Sequence, residues 1–381
     1  MMSGKKFNRM GIFILALLLV DGAFAMPSRP PQPTVNEVKA DMKRVADWQI
    51  EHLEDDYGRN GNPRSCDLNA WTYGALYVGM EKWAEIADDG KYYTWLKDMA
   101  ESQDWKLRAE RFYHADDHAI GQLYLSLYRK YKDPRMIAAT KGQFDKIMAD
   151  TPTVSLDHTK KGHSKRWSWC DALFMAPPVW AQLSSATGDP KYRNWMFGEY
   201  KATTDYLFDK DEHLYFRDSR FFTQRHNGSK IFWARGNGWV FGGLALLMPE
   251  LPKDSEQYDY FADIYKKMAE KLISIQTPEG YWAMSLLEAD AYPMPETSGT
   301  GFYCFGLAWG INNGLLDREK YEPAVLKAWD ALTRCITDEG MLGYVQPIGA
   351  EPGQAWPDRT EVYGSGAFLA AGAEVARMLE K

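Results

Sequence analysis

The stretch RWSWCDALFMAPP, residues 166–178, sets one carboxylate, Asp171, among tryptophan, cysteine, leucine and phenylalanine and follows it with two prolines. Burying an unpaired charge is expensive, so a carboxylate in such company is either neutralised by a partner or holds a proton. The apolar setting made by Trp169, Cys170, Leu173 and Phe174 raises its pKa, which suits a general acid working near neutral pH. The competing reading is a carboxylate at a helix start satisfied by backbone N–H groups, which lowers the pKa.

Two further stretches could carry chemistry. HADDH holds Asp116, Asp117 and His118. Aspartate is favoured at a helix start, but one cap needs neither two carboxylates nor a histidine, so one of the pair is expected to face a cleft. His114 and His118 have the four-residue spacing of zinc ligands. The glutamate that would follow the first is replaced by Ala115, and no third ligand is marked by spacing. DKDEH, residues 209–213, lacks the glycine and distal glutamate of a calcium loop, so no metal is expected. In FWARGNGWVFGG, the Arg235 guanidinium can pair with a carboxylate while Trp233 and Trp239 stack on a sugar ring. Gly236 and Gly238 permit a close backbone approach there. Core packing with a structural salt bridge is the plainer alternative.

These groups need a scaffold that brings them together. Helical patterning dominates after residue 34, and two-residue alternation is almost absent. Six segments open on small or polar residues and run into apolar helix: CDLNAWTYGALYVGM, DDHAIGQLYLSLY, CDALFMAPPVWAQL, GNGWVFGGLALLM, SGTGFYCFGLAWGI and GSGAFLAAGAEVARML. Amphipathic helices such as KYYTWLKDMAES and YDYFADIYKKMAEKLISI alternate with them. Six buried and six amphipathic helices make two concentric rings, an all-α (α/α)6 barrel; a helical solenoid would keep a tighter period. In the barrel, loops entering the inner helices converge on one mouth, and Asp67, Asn69, Asp116, Asp117, Trp169, Asp171, Trp233, Arg235 and Thr300 open those helices. Long connections precede the third and fourth inner helices, and EHLYFRDSRFF reads as a short hairpin over the cleft.

At the N-terminus, Lys5, Lys6 and Arg9 precede the apolar run MGIFILALLLV and the small-residue site AFA ending at Ala25. Residues 1–25 therefore read as a cleavable signal peptide for secretion or the periplasm, 26–34 as a spacer and 35–381 as a single domain. No stretch is long enough for a membrane-spanning helix. The 45 basic and 52 acidic residues give a net charge of −7, and loss of Lys5, Lys6, Arg9 and Asp21 with the signal peptide takes it to −9. Nucleic acid is a poor partner for that surface. Four scattered cysteines in a chain of 381 residues read as buried thiols rather than a disulfide framework. The 15 tryptophans and 22 tyrosines fit either a large aromatic core or a cleft that stacks sugars.

WSWCDALFMAPP, FWARGNGW and DDHAIGQ, with the six-fold layout, resemble the unsaturated uronyl hydrolases of glycoside hydrolase families 105 and 88, leaning to the rhamnogalacturonyl type of family 105. The resemblance spans nearly the whole mature chain. It implies an (α/α)6 enzyme, without cofactor, that acts on oligosaccharides ending in a 4,5-unsaturated uronic acid. It further implies that Asp171 protonates C4 of the enol ether and then activates water toward C5. Asp117 matches the family's second aspartate, which helps hold substrate. Trp169, His118, Trp233, Arg235 and Trp239 complete the expected subsite. Where the family often has a hairpin histidine, this chain reads YFRDSR, so Arg217 and Arg220 become candidates for the uronate carboxylate or a sulfate, the plainer alternative being that they decorate a loop. Two alternatives are another (α/α)6 glycosidase that cleaves saturated oligosaccharides and a non-catalytic sugar-binding protein.

Overall fold

Helix periodicity in the sequence becomes helix almost residue for residue. The computed structural model describes residues 32–53, 67–108 and 110–381 together with Met1. The expected signal peptide, most of the spacer and Cys66 lie outside the described residues. In chain order the helices are α1 (Val35–Glu51), α2 (Trp71–Ile86), α3 (Lys91–Ser102), α4 (Gly121–Tyr131), α5 (Arg135–Ala149), α6 (Ala172–Met175) and α7 (Pro177–Thr187). They continue with α8 (Lys191–Leu207), α9 (Ala234–Leu247), α10 (Glu256–Ser274), α11 (Thr297–Asn312), α12 (Arg318–Thr333) and α13 (Val362–Leu379).

The inner ring closes on itself: α2 packs on α4, α4 on α7, α6 and α7 on α9, α9 on α11, α11 on α13, and α13 back on α2. Every residue of α9 is buried, as are nearly all of α11 and α13. The amphipathic helices lie outside, with α1 on α13 and α2, α3 on α2 and α4, α5 on α4 and α7, α8 on α7, α10 on α9, and α12 on α11 and α13. This is the (α/α)6 barrel expected from the alternating patterns.

Glycine sets the spacing of the inner ring. A Cβ at Gly79 of α2 would lie 2.0 Å from the Gly366 carbonyl oxygen of α13, and one at Gly243 of α9 would lie 2.5 Å from the Leu173 carbonyl oxygen of α6. The third inner helix is broken at Ala176: Pro177 occupies the first turn of α7, where its missing N–H is no loss, and the single turn of α6 is set off from it.

The connection between α8 and α9 carries two antiparallel hairpins. β1 (Phe208–Asp209) pairs with β2 (Leu214–Tyr215), and β3 (Arg225–His226) pairs with β4 (Ser229–Lys230) across Asn227 and Gly228, both at positive φ. Asn237 on α9 accepts from the Tyr215 N–H at 2.7 Å and donates to the Tyr215 carbonyl at 2.9 Å, so β2 is tied to the barrel two residues before Arg217.

Candidate active site

One mouth of the barrel holds a pocket of about 130 Å³ lined by Trp71, Asp116, Trp169, Asp171, Met175, Arg217, Trp233, Arg235, Trp239, Ile348 and Gly349. Its walls come from the N-terminal ends of inner helices. Trp71 is the first residue of α2, Asp116 sits on the 3-10 turn Ala115–His118 before α4, Asp171 immediately precedes α6, and Trp233 immediately precedes α9. The floor is aromatic: the Trp239 ring lies 4.7 Å from Phe174, 4.5 Å from Phe302 and 5.9 Å from Trp71, centroid to centroid. That volume is well below the roughly 300–1,000 Å³ usual for drug-sized ligands, so it accommodates one end of an oligosaccharide.

Asp171 is 8% exposed and makes no capping bond to α6, which removes the helix-cap alternative. Burial pushes its carboxyl above the usual carboxylate range, and the Arg217 guanidinium pulls against that shift. Arg217 Nε lies 3.4 Å from Asp171 Oδ2, and the buried Cys170 thiol donates to the same oxygen at 3.6 Å. Both side-chain contacts fall on Oδ2, which leaves Oδ1 without a side-chain partner among the described residues. Arg217 also binds Asp218 at 2.7 Å, and Arg220 binds Asp218 at 2.9 Å. Together they hold Asp218 at a pKa of about 2, where burial alone would raise it. Asp218 therefore anchors Arg217 in place, while Arg220 stays outside the pocket lining.

The second carboxylate lining the pocket is Asp116 rather than Asp117. In a 3-10 turn successive side chains point about 120° apart. Asp117, 1% exposed, turns away and is held by Arg111 through two guanidinium contacts and the Arg111 N–H at 3.1 Å. Asp116 faces the pocket, and burial lifts its pKa to about 6 against the lowering influence of Arg111 and Arg217. His118 is likewise outside the pocket: its Nε2 lies 3.2 Å from the Phe112 carbonyl and its ring packs on Phe144. Burial lowers it to about 4, so it is neutral and structural. His114, lowered by burial to about 3, packs at a tilt against Trp169 with ring centroids 4.6 Å apart and backs that wall.

Arg235 lines the pocket but pairs with no carboxylate among the described residues. Buried between the Trp233 ring at 4.5 Å and the Tyr363 ring at 5.0 Å, it donates to the Gln346 carbonyl at 2.6 Å and the Pro347 carbonyl at 2.8 Å. Gln346 Oε1 accepts from the Trp233 indole at 2.7 Å. The arginine thus fastens the loop before α13 to the start of α9. Gly236 makes room for this entry: a Cβ there would meet Trp233 at 3.0 Å and the Cys170 sulfur at 3.1 Å.

A family model described as Glycosyl Hydrolase Family 88 matches residues 41–379. The chain belongs to glycosyl hydrolase family 88. An Alteromonas sp. (strain LOR) protein named unsaturated 3S-rhamnoglycuronyl hydrolase is 38% identical to this family 88 chain over 362 residues, 91% of this chain and 88% of that protein. A Formosa agariphila protein of the same name is 40% identical over 356 residues, covering 91% of this chain and 92% of its own length. A solved structure described as glycosyl hydrolase family 88 from Bacteroides vulgatus is 30% identical with a TM-score of 0.79, covering 91% of this chain and 100% of that one. The protein is therefore a glycoside hydrolase with the barrel of its family.

Several residues of this family 88 pocket escaped the sequence reading. Trp71 opens an inner helix just as Trp169 and Trp233 do, and that position was the available signal. Ile348 and Gly349 come from the irregular segment before α13, where no period marks a functional side chain. Asp67 and Thr300, read as cleft-facing, are otherwise engaged: Asp67 accepts from Arg108 at 2.6 Å, and Thr300 accepts from the Trp282 N–H at 3.2 Å. Cys170 and Cys304 are buried free thiols and Cys335 is a partly buried one. A larger cavity, about 460 Å³, opens at the other mouth among the C-terminal ends of the inner helices. Its Glu85 and Glu374 are paired with Arg377 and its Glu250 with Arg129, and it has no carboxyl set among indoles, so size does not select the active site here.

Proposed function

We propose that the protein removes a 4,5-unsaturated uronic acid from the non-reducing end of oligosaccharides left by polysaccharide lyases, by hydrating the enol ether. The observation that carries this reading is the placement of Asp171, a carboxyl whose pKa burial raises, in an indole-walled pocket with Arg217 and the Cys170 thiol on its Oδ2. The Asp171 proton adds to C4 of the C4=C5 double bond, and positive charge develops at C5, shared with the ring oxygen. The resulting carboxylate then takes a proton from a water whose oxygen bonds C5, which restores the acid. The C5 hemiketal opens to a ketone, the former ring oxygen becomes a hydroxyl on C1, and the C1 hemiacetal so formed expels the neighbouring sugar. One group serves in turn as acid and base, so the carboxylate-separation rule of ordinary glycosidases has no bearing.

Arg217 supplies the charge for the uronate carboxylate, Asp116 accepts from sugar hydroxyls, and Trp71, Trp169, Trp233 and Trp239 supply the apolar walls around the ring. The names of the two relatives support rhamnose as the sugar next to the uronate. The charged stretch, apolar run and AFA site at residues 5–25 support action outside the cytoplasm. Lyase products of ulvan, pectin, arabinogalactan and glycosaminoglycans, followed by the enol absorbance, test the proposal. Wild-type protein should bleach at least one of them. Asp171→Asn should lower kcat by about 10²- to 10⁴-fold while substrate binding persists. Cleavage of saturated oligosaccharides with no bleaching of unsaturated ones would overturn it.

A further inference from the structure

Ile348 is an aliphatic side chain that folding alone does not explain. It is 37% exposed, and only Met1, Tyr131 and Trp356 join it as exposed large hydrophobics among the described residues. Trp356 already carries the Arg359 guanidinium 4.5 Å above its ring. Ile348 instead lines the same pocket as Asp171. Because it is partly open to solvent while Asp171 is buried, it marks the mouth of that pocket, on the side where the chain beyond the uronate must leave.

The side chain is presented on a fixed backbone. The two residues before it have their carbonyls clamped by the buried Arg235, at 2.6 Å to Gln346 and 2.8 Å to Pro347. Tyr363 also donates to the Gln346 carbonyl at 2.6 Å, and Gln346 Nε2 donates to the Glu351 carbonyl at 2.8 Å, which closes the loop around Ile348 and Gly349. A backbone held this firmly at a pocket mouth does not need to be ordered on binding, so a contact made by its side chain costs less entropy than one from a loose loop.

We infer that Ile348 reads the C6 methyl group of a 6-deoxyhexose joined directly to the unsaturated uronate, and so sets the preference for the leaving sugar. This rests on the hydrolase reading above. Elsewhere in the pocket lining, Asp116 and Arg217 can engage hydroxyls or charge. Ile348 can engage only apolar surface, and on a pyranose the C6 methyl of a deoxy sugar is the exposed apolar group. A hydroxymethyl in its place would press a hydroxyl against the aliphatic side chain and lose a hydrogen bond to water.

The test uses two synthetic disaccharides, both carrying 4,5-unsaturated glucuronate, with L-rhamnose as the second sugar in one and L-mannose in the other; they differ only at C6. Wild-type protein should favour the rhamnose compound by about four- to tenfold in kcat/KM, mostly through KM. Ile348→Ser should bring that ratio within about twofold of unity, with the loss on the rhamnose compound falling mainly on KM. Ile348→Val should keep the preference. A ratio unchanged in Ile348→Ser, or a wild-type ratio near unity, overturns the inference and leaves the hydrolase reading standing. Absence of wild-type turnover on both compounds overturns the two together.

Discussion

Asp116 and Asp171 share one pocket and burial raises the pKa of both, with the Asp116 charge raising that of Asp171 further. For Asp116 this has a stability consequence with a definite sign. Its carboxyl titrates near 3.8 in an open chain and about 6 in the fold. Below about pH 4 the group is protonated in both states. Between about 4 and 6 the unfolded chain gives up a proton that the folded chain retains, so stability falls as pH rises, and above about 6 the whole penalty is present. Asp116→Asn carries no such penalty. It should therefore be more stable than wild type by about 1–3 kcal/mol at pH 7.5 and by much less at pH 3.5, read as the difference in Tm at each pH. A gain independent of pH would mean that the carboxyl titrates normally. The sequence made Asp171, Trp169, Trp233, Arg235 and Trp239 legible because each sits in a short stretch whose composition is hard to explain by packing alone. It could not tell Asp116 from Asp117, since that depends on how a 3-10 turn is rotated and on where Arg111 lies. It also misjudged the partner of Arg235, because backbone carbonyls leave no mark in a sequence.

At the scale of helices, the six apolar segments are read correctly as inner and the six amphipathic ones as outer, because burial on all sides and burial on one stripe leave different residue patterns. What the pattern does not convey is which small residues are contacts and which are incidental. Gly79 and Gly366 meet where α2 crosses α13, and a Cβ on either would fall inside the other's backbone, at 2.0 Å for Gly79 and 2.3 Å from the Ala75 carbonyl oxygen for Gly366. Gly142 on α5 and Gly198 on α8 have nothing within 4 Å of the same position. Alanine should then have opposite effects at the two kinds of site. Gly79→Ala forces the inner helices apart and should cost about 3 kcal/mol or more, whereas Gly198→Ala favours the helix and should stabilise by about 0.4–1 kcal/mol. Calorimetric Tm values falling for the first and rising for the second would fit this account. Equal tolerance of both would show that the inner ring is not close-packed at that crossing.

For the whole molecule, repetition sets the electrostatics of the mouth. Inner helices run parallel, so their N-terminal ends, each equivalent to about half a positive charge, gather around the pocket while their C-terminal ends gather at the other cavity. The start of α11 is an exception, since the buried Glu296 carboxylate accepts from the Ser298 and Gly299 N–H groups. Arg217 and Arg235 line the same mouth, Arg217 partly offset by Asp218, and burial disfavours the charged forms of Asp171 and Asp116. The chain as a whole carries −7. A uronate therefore approaches an anionic body with a locally positive mouth, and two influences of opposite sign compete. Distance decides between them: at about 0.1 M salt the screening length is about 10 Å, so charges spread over the outer helices are damped while groups lining the pocket are not. The local field should win. Raising NaCl from about 0.02 to 0.5 M should raise KM for an unsaturated uronide by about two- to fivefold with kcat little changed, and Arg217→Gln should raise KM and flatten that dependence. A KM that fell with salt in wild type would mean that repulsion from the body dominates and that the gathered helix ends and arginines do not govern substrate capture.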